Sequence, residues 1–183
     1  MKKNTRIQKM CIAALLCAVG ILIPMISPVK IQIGPMSFTL ASHVALFIAL
    51  FISPAVALTV AVGTTLGFVL AGFPPVVVLR AASQIVFVMA GAYLLAKNPK
   101  IMQSAARVFS FGFVLGVIHA ICEALVVTAF YFGGMEMSGG FVYTVLGLVG
   151  VGTLVHSMVD YYIALLIWKA VSAVTKVPAS YTA

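Results

Sequence analysis

FTLASHVALFIALFISPAVALTVAVGTTLGFVLA, residues 38–71, is an apolar stretch too long for one membrane-spanning helix. At a rise of 1.5 Å per residue it would form a helix of about 50 Å, whereas the hydrocarbon core of a bilayer is about 30 Å thick. The motif FISPAV in its middle offers a break at Ser53 and Pro54, because proline disrupts a helix interior. We therefore predict two short helices here.

The composition is that of a membrane protein. Of the 183 residues, 63% are hydrophobic and 8% are charged, and the mean hydropathy of +1.22 is far above that of soluble proteins. Since a spanning helix needs about 20 residues, the length allows about six spans with short loops and no soluble domain. The three cysteines lie in apolar runs without CxxC pairing, so neither a disulfide framework nor a zinc site is indicated.

The positions of the basic residues predict the topology. With two spans in residues 38–71, nine of the eleven Lys and Arg residues fall on the cytoplasmic side, as the positive-inside rule favours. The charged N-terminus precedes an apolar run longer than a signal-peptide core, so we expect an uncleaved first helix. Because the basic residues flank apolar runs, the net charge of +8 indicates orientation in a membrane and no nucleic-acid partner.

These patterns predict an all-α integral membrane protein in the cell membrane. We expect one compact six-transmembrane-helix domain over residues 1–183, with cytoplasmic N- and C-termini. The approximate spans are 7–26, 40–52, 55–71, 76–96, 105–132 and 141–171.

Polar side chains within the spans mark a candidate binding site near the outer face. Ionisable residues are costly in lipid and usually face the protein interior or water. Six polar residues are expected on the outer side: Arg80, His43, Gln84, His119, Glu123 and Lys30. We expect a shared cavity in which Arg80 holds a carboxylate in a bidentate grip. The alternative for Arg80 is a side chain that extends toward the outer headgroups.

The loop KIQIGPMSF, residues 30–38, is a candidate lid for this cavity. A Gly-Pro turn between apolar residues can fold back over a pocket, and Phe38 would then cover a flat ring. The alternative for Phe38 is a place in an aromatic belt at the membrane interface.

The sequence gives little support to catalysis. It contains no HExxH, GxSxG or GxxxxGK motif. Two i, i+4 pairs, His119 with Glu123 and His156 with Asp160, leave an intramembrane metal enzyme as an alternative. We expect the second pair to lie deeper toward the cytoplasm, as a clamp between helices, which disfavours a shared ion. The prediction is therefore a protein that is not an enzyme and contains no metal or cofactor.

Small residues spaced four apart let helices approach closely in lipid. Gly63 with Gly67 and Gly112 with Gly116 are interpreted as internal packing. On the first helix Ala14 and Ala18 form the same pattern, within KMCIAALLCAVGILIPMI.

The chain resembles the substrate-binding S-components of group II energy-coupling factor (ECF) vitamin transporters. The likeness rests on a basic N-terminus, the alanine-spaced first helix AALLCA, and the stretches SFTLASHVALFIALFISP, GTTLGF, AGFPPVVVLRA and GTLVHSMVDY. It implies high-affinity capture of a vitamin at the outer face and docking through Ala14 and Ala18 on a shared transmembrane coupling subunit. Two cytoplasmic ATPase subunits would then use the ATP.

The resemblance is strongest to the niacin type, with pantothenate next. Lys30 and Arg80 favour a small carboxylate. Glu123 can accept a hydrogen bond from a hydroxyl or amino group, which leaves a neutral substrate such as pyridoxine or hydroxymethylpyrimidine as an alternative. The two halves of the chain do not resemble each other as inverted transporter repeats would, which makes a stand-alone secondary carrier the lesser alternative.

Overall fold

The computed structural model describes residues 2–33, 36–137, 139–174 and 179, with the side chains of residues 2–5, 30, 32, 33, 36 and 37 left out. These residues form six α-helices and one β-hairpin. The helices are α1 (Lys2–Ile26), α2 (Val44–Ile52), α3 (Pro54–Leu70), α4 (Pro75–Lys97), α5 (Ala105–Phe132) and α6 (Gly152–Val174). The hairpin strands are β1 (Lys30–Ile33) and β2 (Met36–Thr39), a 3₁₀ turn covers Pro99–Gln103, and a π-helical segment (Val142–Val151) leads into α6.

Four helices of the described part are long and apolar enough to cross a membrane: Arg6–Ile26, Pro75–Lys97, Ala105–Phe132 and Val142–Val174. A shorter apolar helix covers Pro54–Leu70. The prediction of a helical, multi-pass membrane protein is therefore confirmed. With nine residues, α2 has a length of about 13 Å and is too short to span the bilayer by itself.

The long apolar stretch breaks where its sequence predicts. Ser53 has an extended backbone and its hydroxyl accepts the Val56 N–H, while Pro54 occupies the first turn of α3. Proline is favoured there because its missing N–H would have no partner within the helix. The second helix begins at Val44 rather than at the predicted residue 40, because residues 40–43 form a turn.

The short helix α2 lies in the centre of the protein. Eight of its nine residues are buried, so the helix has no broad face toward lipid. Its side chains are apolar on every side because they pack into the protein core. Phe47 and Phe51 pack against Tyr161 of α6, with ring centroids 5.3 and 6.3 Å away. This helix carries the core that supports the polar residues at its N-terminal end.

The segment predicted as a lid loop is a two-stranded antiparallel hairpin in which Ile31 pairs with Phe38 and Lys30 with Thr39. The strict all-α prediction is therefore incomplete. Four-residue strands carry too little alternation to stand out from the apolar runs on either side. The hairpin joins α1 to α2 and places Phe38 and Thr39 beside the N-terminus of α2.

Glycines in α3 and α5 sit where neighbouring helices approach closely, as predicted. A methyl group at Gly63 would meet Cys17 Sγ at 2.6 Å, and one at Gly67 would clash with the side chain of Ile21. A methyl group at Gly112 would likewise clash with the ring of Tyr161. These small residues therefore serve internal packing of α1 with α3 and of α5 with α6.

Candidate binding site

A polar pocket lies at the end of the helix bundle that carries the hairpin. The C-terminal end of α1, the hairpin, the turn before α2 and the N-terminal half of α4 contribute to it, together with residues of α3, α5 and α6. The lining residues are Pro24, Phe38, Thr39, Ser42, His43, Thr64, Phe68, Phe73, Val77, Arg80, Ala81, Gln84, Glu123, Thr153 and His156.

One wall of the pocket is a buried ion pair between α4 and α5. Arg80 donates from its Nη2 to Glu123 Oε2 over 2.8 Å, and both side chains are almost fully buried. Thr153 of α6 donates from its hydroxyl to the same carboxylate oxygen, also over 2.8 Å. A buried charge pair is maintained only with such additional hydrogen bonds, since desolvation offsets much of the Coulomb attraction.

Asp160 of α6 holds the turn before α2. Its Oδ1 accepts the Ala41 N–H at 2.8 Å and its Oδ2 accepts the His43 N–H at 2.9 Å. The same Oδ2 lies 3.1 Å from Nδ1 of His43 and 3.3 Å from Nε2 of His156. Ala41 has a positive φ of 67°. The carboxylate thus fixes a turn that an L-amino acid adopts only at a cost.

Three histidines meet behind this wall. The ring of His43 lies edge-on to those of His119 and His156, with centroids 4.7 and 5.0 Å away. His119 is fully buried and stacks on Phe87 with centroids 4.5 Å apart. Its Nδ1 lies 3.2 Å from Ser157 Oγ, and its Nε2 lies 3.3 Å from Oε1 of Glu123. His43 therefore links the two i, i+4 pairs into one cluster.

This linkage corrects one expectation. The pair of His156 and Asp160 was predicted to lie deeper toward the cytoplasm than His119 and Glu123. His156 instead lines the same pocket as Glu123, and His43 contacts both pairs. Asp160 does act as a clamp, but between α6 and the turn before α2, because its carboxylate accepts two backbone N–H groups there.

Aromatic rings enclose the pocket. Phe38 of the hairpin lies beside His156, with ring centroids 5.5 Å apart, and the ring of Phe38 packs against Gly152 of α6. Phe68 and Phe73 stack with centroids 4.6 Å apart. Flat aromatic walls with a few polar groups suit a small ring-shaped ligand.

Five of the seven predicted pocket residues line the pocket: Arg80, His43, Gln84, Glu123 and Phe38. His119 lies behind Glu123. The side chain of Lys30 lies outside the described part of the chain, so its predicted role stays a prediction. Five further lining residues were not predicted in the pocket: the hydroxyl residues Thr39, Ser42, Thr64 and Thr153 and the ring of His156. Hydroxyls are common in membrane helices, so they carried no separate signal.

The pocket is small in this conformation. Its free volume is about 50 Å³.

A second surface lies on α1, at the other end of that helix. Ala14 and Ala18 are exposed, whereas Ala13 is buried and Cys17 lies against the backbone of Thr59. Ala14 belongs to a groove between α1 and the start of α3, lined by Arg6, Lys9, Met10, Ala13, Ala14, Ser53, Ala55, Val56 and Thr59. The two alanine stripes of α1 thus differ, one facing outward and one facing the core.

Comparison with known proteins gives one informative relative. The chain is 43% identical over 164 residues to the niacin transporter NiaX of Lactococcus lactis subsp. cremoris, which covers 89% of this chain and 74% of the relative. No family model matches the chain. No solved structure matches it either.

Proposed function

Since the chain belongs to the niacin-type S-component family, we propose that it captures niacin for an ATP-driven ECF uptake transporter. The chain is a multi-pass membrane protein and not an enzyme, as its relationship to a transporter and its long apolar helices show. Identity of 43% over nearly the whole chain is the observation that carries the proposal. The pocket supports it because it combines a guanidinium with aromatic walls.

The proposed topology has six membrane-embedded helices with cytoplasmic termini. The two short helices α2 and α3 together replace a pair of full spans, and the pocket then opens at the outer face. The positive-inside distribution of Lys and Arg supports this orientation. The hairpin and Phe38 would cover the pocket from outside.

Niacin fits the chemistry of the pocket as a flat pyridine ring with a carboxylate. We place the carboxylate near Arg80, with the ring between Phe38 and the aromatic side chains of residues 68 and 73. Hydrogen bonds to charged groups contribute about 1.5–3 kcal/mol each, or about 10- to 150-fold in affinity.

Binding is tested by isothermal titration calorimetry with the purified protein in detergent. Arg80→Gln alone would leave Glu123 buried without its cation, which costs about 3–5 kcal/mol in stability. The variant to use is therefore Arg80→Gln with Glu123→Gln, which removes both charges together and keeps the volume of the Glu123 side chain. We expect niacin to bind the wild type one to one and this variant at least tenfold more weakly. Arg107→Gln, at an exposed position, is the control. Equal affinity in all three proteins would contradict the placement at Arg80.

Ala14 and Ala18 are the proposed contact with the transmembrane coupling subunit. Both are exposed small residues on a helix that otherwise packs against α3, and small residues allow close helix contact in lipid. Ala14→Trp or Ala18→Trp should abolish assembly with the coupling subunit while niacin binding persists. Ala170→Trp, an exposed alanine of α6, should leave assembly intact. Loss of niacin binding in the α1 variants would show that these alanines pack internally.

Dependence on the partner ATPases is tested in proteoliposomes. We expect niacin uptake only when the coupling subunit, both ATPases and ATP are present. Uptake by this chain alone would favour a stand-alone carrier instead.

A further inference from the structure

We propose that His43, His119 and Glu123 bind a divalent transition-metal ion, zinc in the first place. Each offers one ligand atom, and these three atoms lie within 4.8 Å of one another in the buried interior. Two imidazole nitrogens with one carboxylate oxygen and an open fourth position form a known type of zinc site. The inference rests on the proposed function only for what occupies the fourth position.

The nitrogens that would bind the ion are left available by their neighbours. Nδ1 of His43 is held by Asp160 Oδ2 at 3.1 Å, and Nδ1 of His119 contacts Ser157 Oγ at 3.2 Å. We therefore assign Nε2 as the ligand atom of each ring; in His119 this atom lies 3.3 Å from Oε1 of Glu123. Metal-binding histidines in proteins are typically held in this way, through the second ring nitrogen by a carboxylate or another polar group.

The surroundings of Nε2 of His119 point most directly to an ion. The atom is buried and makes no hydrogen bond to any described residue. Oε1 of Glu123 is 3.3 Å away, but the geometry is not that of a hydrogen bond. Ligands about 2.0–2.1 Å from a tetrahedral zinc ion are about 3.4 Å apart. The 3.3 Å between Nε2 of His119 and Oε1 of Glu123 is therefore the separation expected of two ligands of one zinc ion.

Arg80 is the neighbour that opposes a cation at this site. Its Nη2 lies 2.8 Å from Oε2 of Glu123, so it offsets part of the negative charge that an ion would meet. The same contact holds the carboxylate in place, with its other oxygen, Oε1, 3.3 Å from Nε2 of His119.

The fourth position faces the pocket, because His43 and Glu123 both line it. We assign this position to the pyridine nitrogen or carboxylate oxygen of niacin. His156 and Asp160 share His43 with the proposed site and would serve as its support.

The test begins with zinc alone. Purified protein is stripped with a chelator, titrated with zinc chloride by calorimetry, and its metal content is measured by plasma mass spectrometry after gel filtration. We expect one ion per chain, lost in His119→Gln and retained in Cys122→Ser, which excludes thiol binding. Ser157→Ala should weaken zinc affinity about tenfold or more through the loss of its contact with His119. No stoichiometric zinc in the wild type, or full retention in His119→Gln, would overturn the inference.

The chelator experiment on the wild type avoids any folding defect of a variant. Niacin affinity should fall at least tenfold in chelator and return when zinc is added. Unchanged niacin affinity without zinc overturns the assignment of niacin to the fourth position and leaves the proposed function standing. Zinc binding without niacin binding under any condition overturns the proposed function and leaves the metal site standing.

Discussion

Replacement of Asp160 by asparagine tests whether one carboxylate holds the centre of the protein together. Asp160→Asn keeps the shape of the side chain and removes its charge. In the structure the two carboxylate oxygens accept N–H groups from Ala41 and His43 at 2.8 and 2.9 Å, and one of them also contacts the His43 ring. Asparagine has one acceptor oxygen, so its NH₂ group must face one of these backbone donors.

The expected loss of stability follows from these contacts. A backbone N–H left buried without an acceptor costs about 1–3 kcal/mol, and conversion of the other hydrogen bond from charged to neutral costs about 1 kcal/mol. We expect a decrease of about 2–4 kcal/mol in the free energy of unfolding. For a protein of this size that corresponds to a thermal midpoint lower by about 4–16 °C.

The single tryptophan makes the measurement direct. Trp168 is buried against Phe51, so its fluorescence changes when the helices separate on heating in detergent. Glu136→Gln is the matched control, because Glu136 is the third acidic residue of the chain and is exposed. We expect its midpoint to stay within about 1 °C of the wild type, since exposed charges contribute little. A midpoint for Asp160→Asn equal to that of the control would refute the assigned role of the carboxylate.

Two further predictions concern backbone packing and conformation. Gly112→Ala should lower the free energy of unfolding by about 1–3 kcal/mol because its methyl group meets the ring of Tyr161. Gly147→Ala is the control, because its methyl group would make only an ordinary contact with Val142 O at 3.8 Å. Equal midpoints would contradict the close contact at Gly112. Ala41→Gly should raise the free energy of unfolding by about 0.5–1 kcal/mol because glycine adopts the positive φ of 67° without strain. A lower midpoint for that variant would show that the Ala41 methyl group matters more than the backbone strain.

The membrane class and most helix positions follow from the sequence because each depends on local composition. The break at Ser53 and Pro54 follows from the helix-capping serine and the proline at that point. The candidate residues Arg80 and Glu123 are recognisable as charges within apolar runs. Such residues must find partners in a medium without water, so their position alone indicates a polar interior.

Other features depend on contacts that are distant in the chain. Asp160 binds backbone groups 117 and 119 residues away, and no local pattern connects them. The i, i+4 spacing of His156 and Asp160 predicts a contact between these two residues alone. It gives no sign that His43 joins them. The joining role of His43 required the three-dimensional arrangement of α2 and α6.

The hairpin was missed for a different reason. Its strands are four residues long, and their backbone pairing is set by the positions of α1 and α2 as well as by their own side chains. Phe38 was predicted in the pocket on chemical grounds, as a ring able to cover another ring. The strand register now places it beside His156.

The central claim, capture of niacin by this chain, is tested most directly by competition among the candidate vitamins. The purified protein is incubated with an equimolar mixture of niacin, pantothenate, pyridoxine and hydroxymethylpyrimidine and passed through a gel-filtration column. The ligand released by denaturation is then identified by mass spectrometry. We predict one niacin per chain and none of the other three compounds. Recovery of another vitamin in its place, or of no vitamin, would contradict the account.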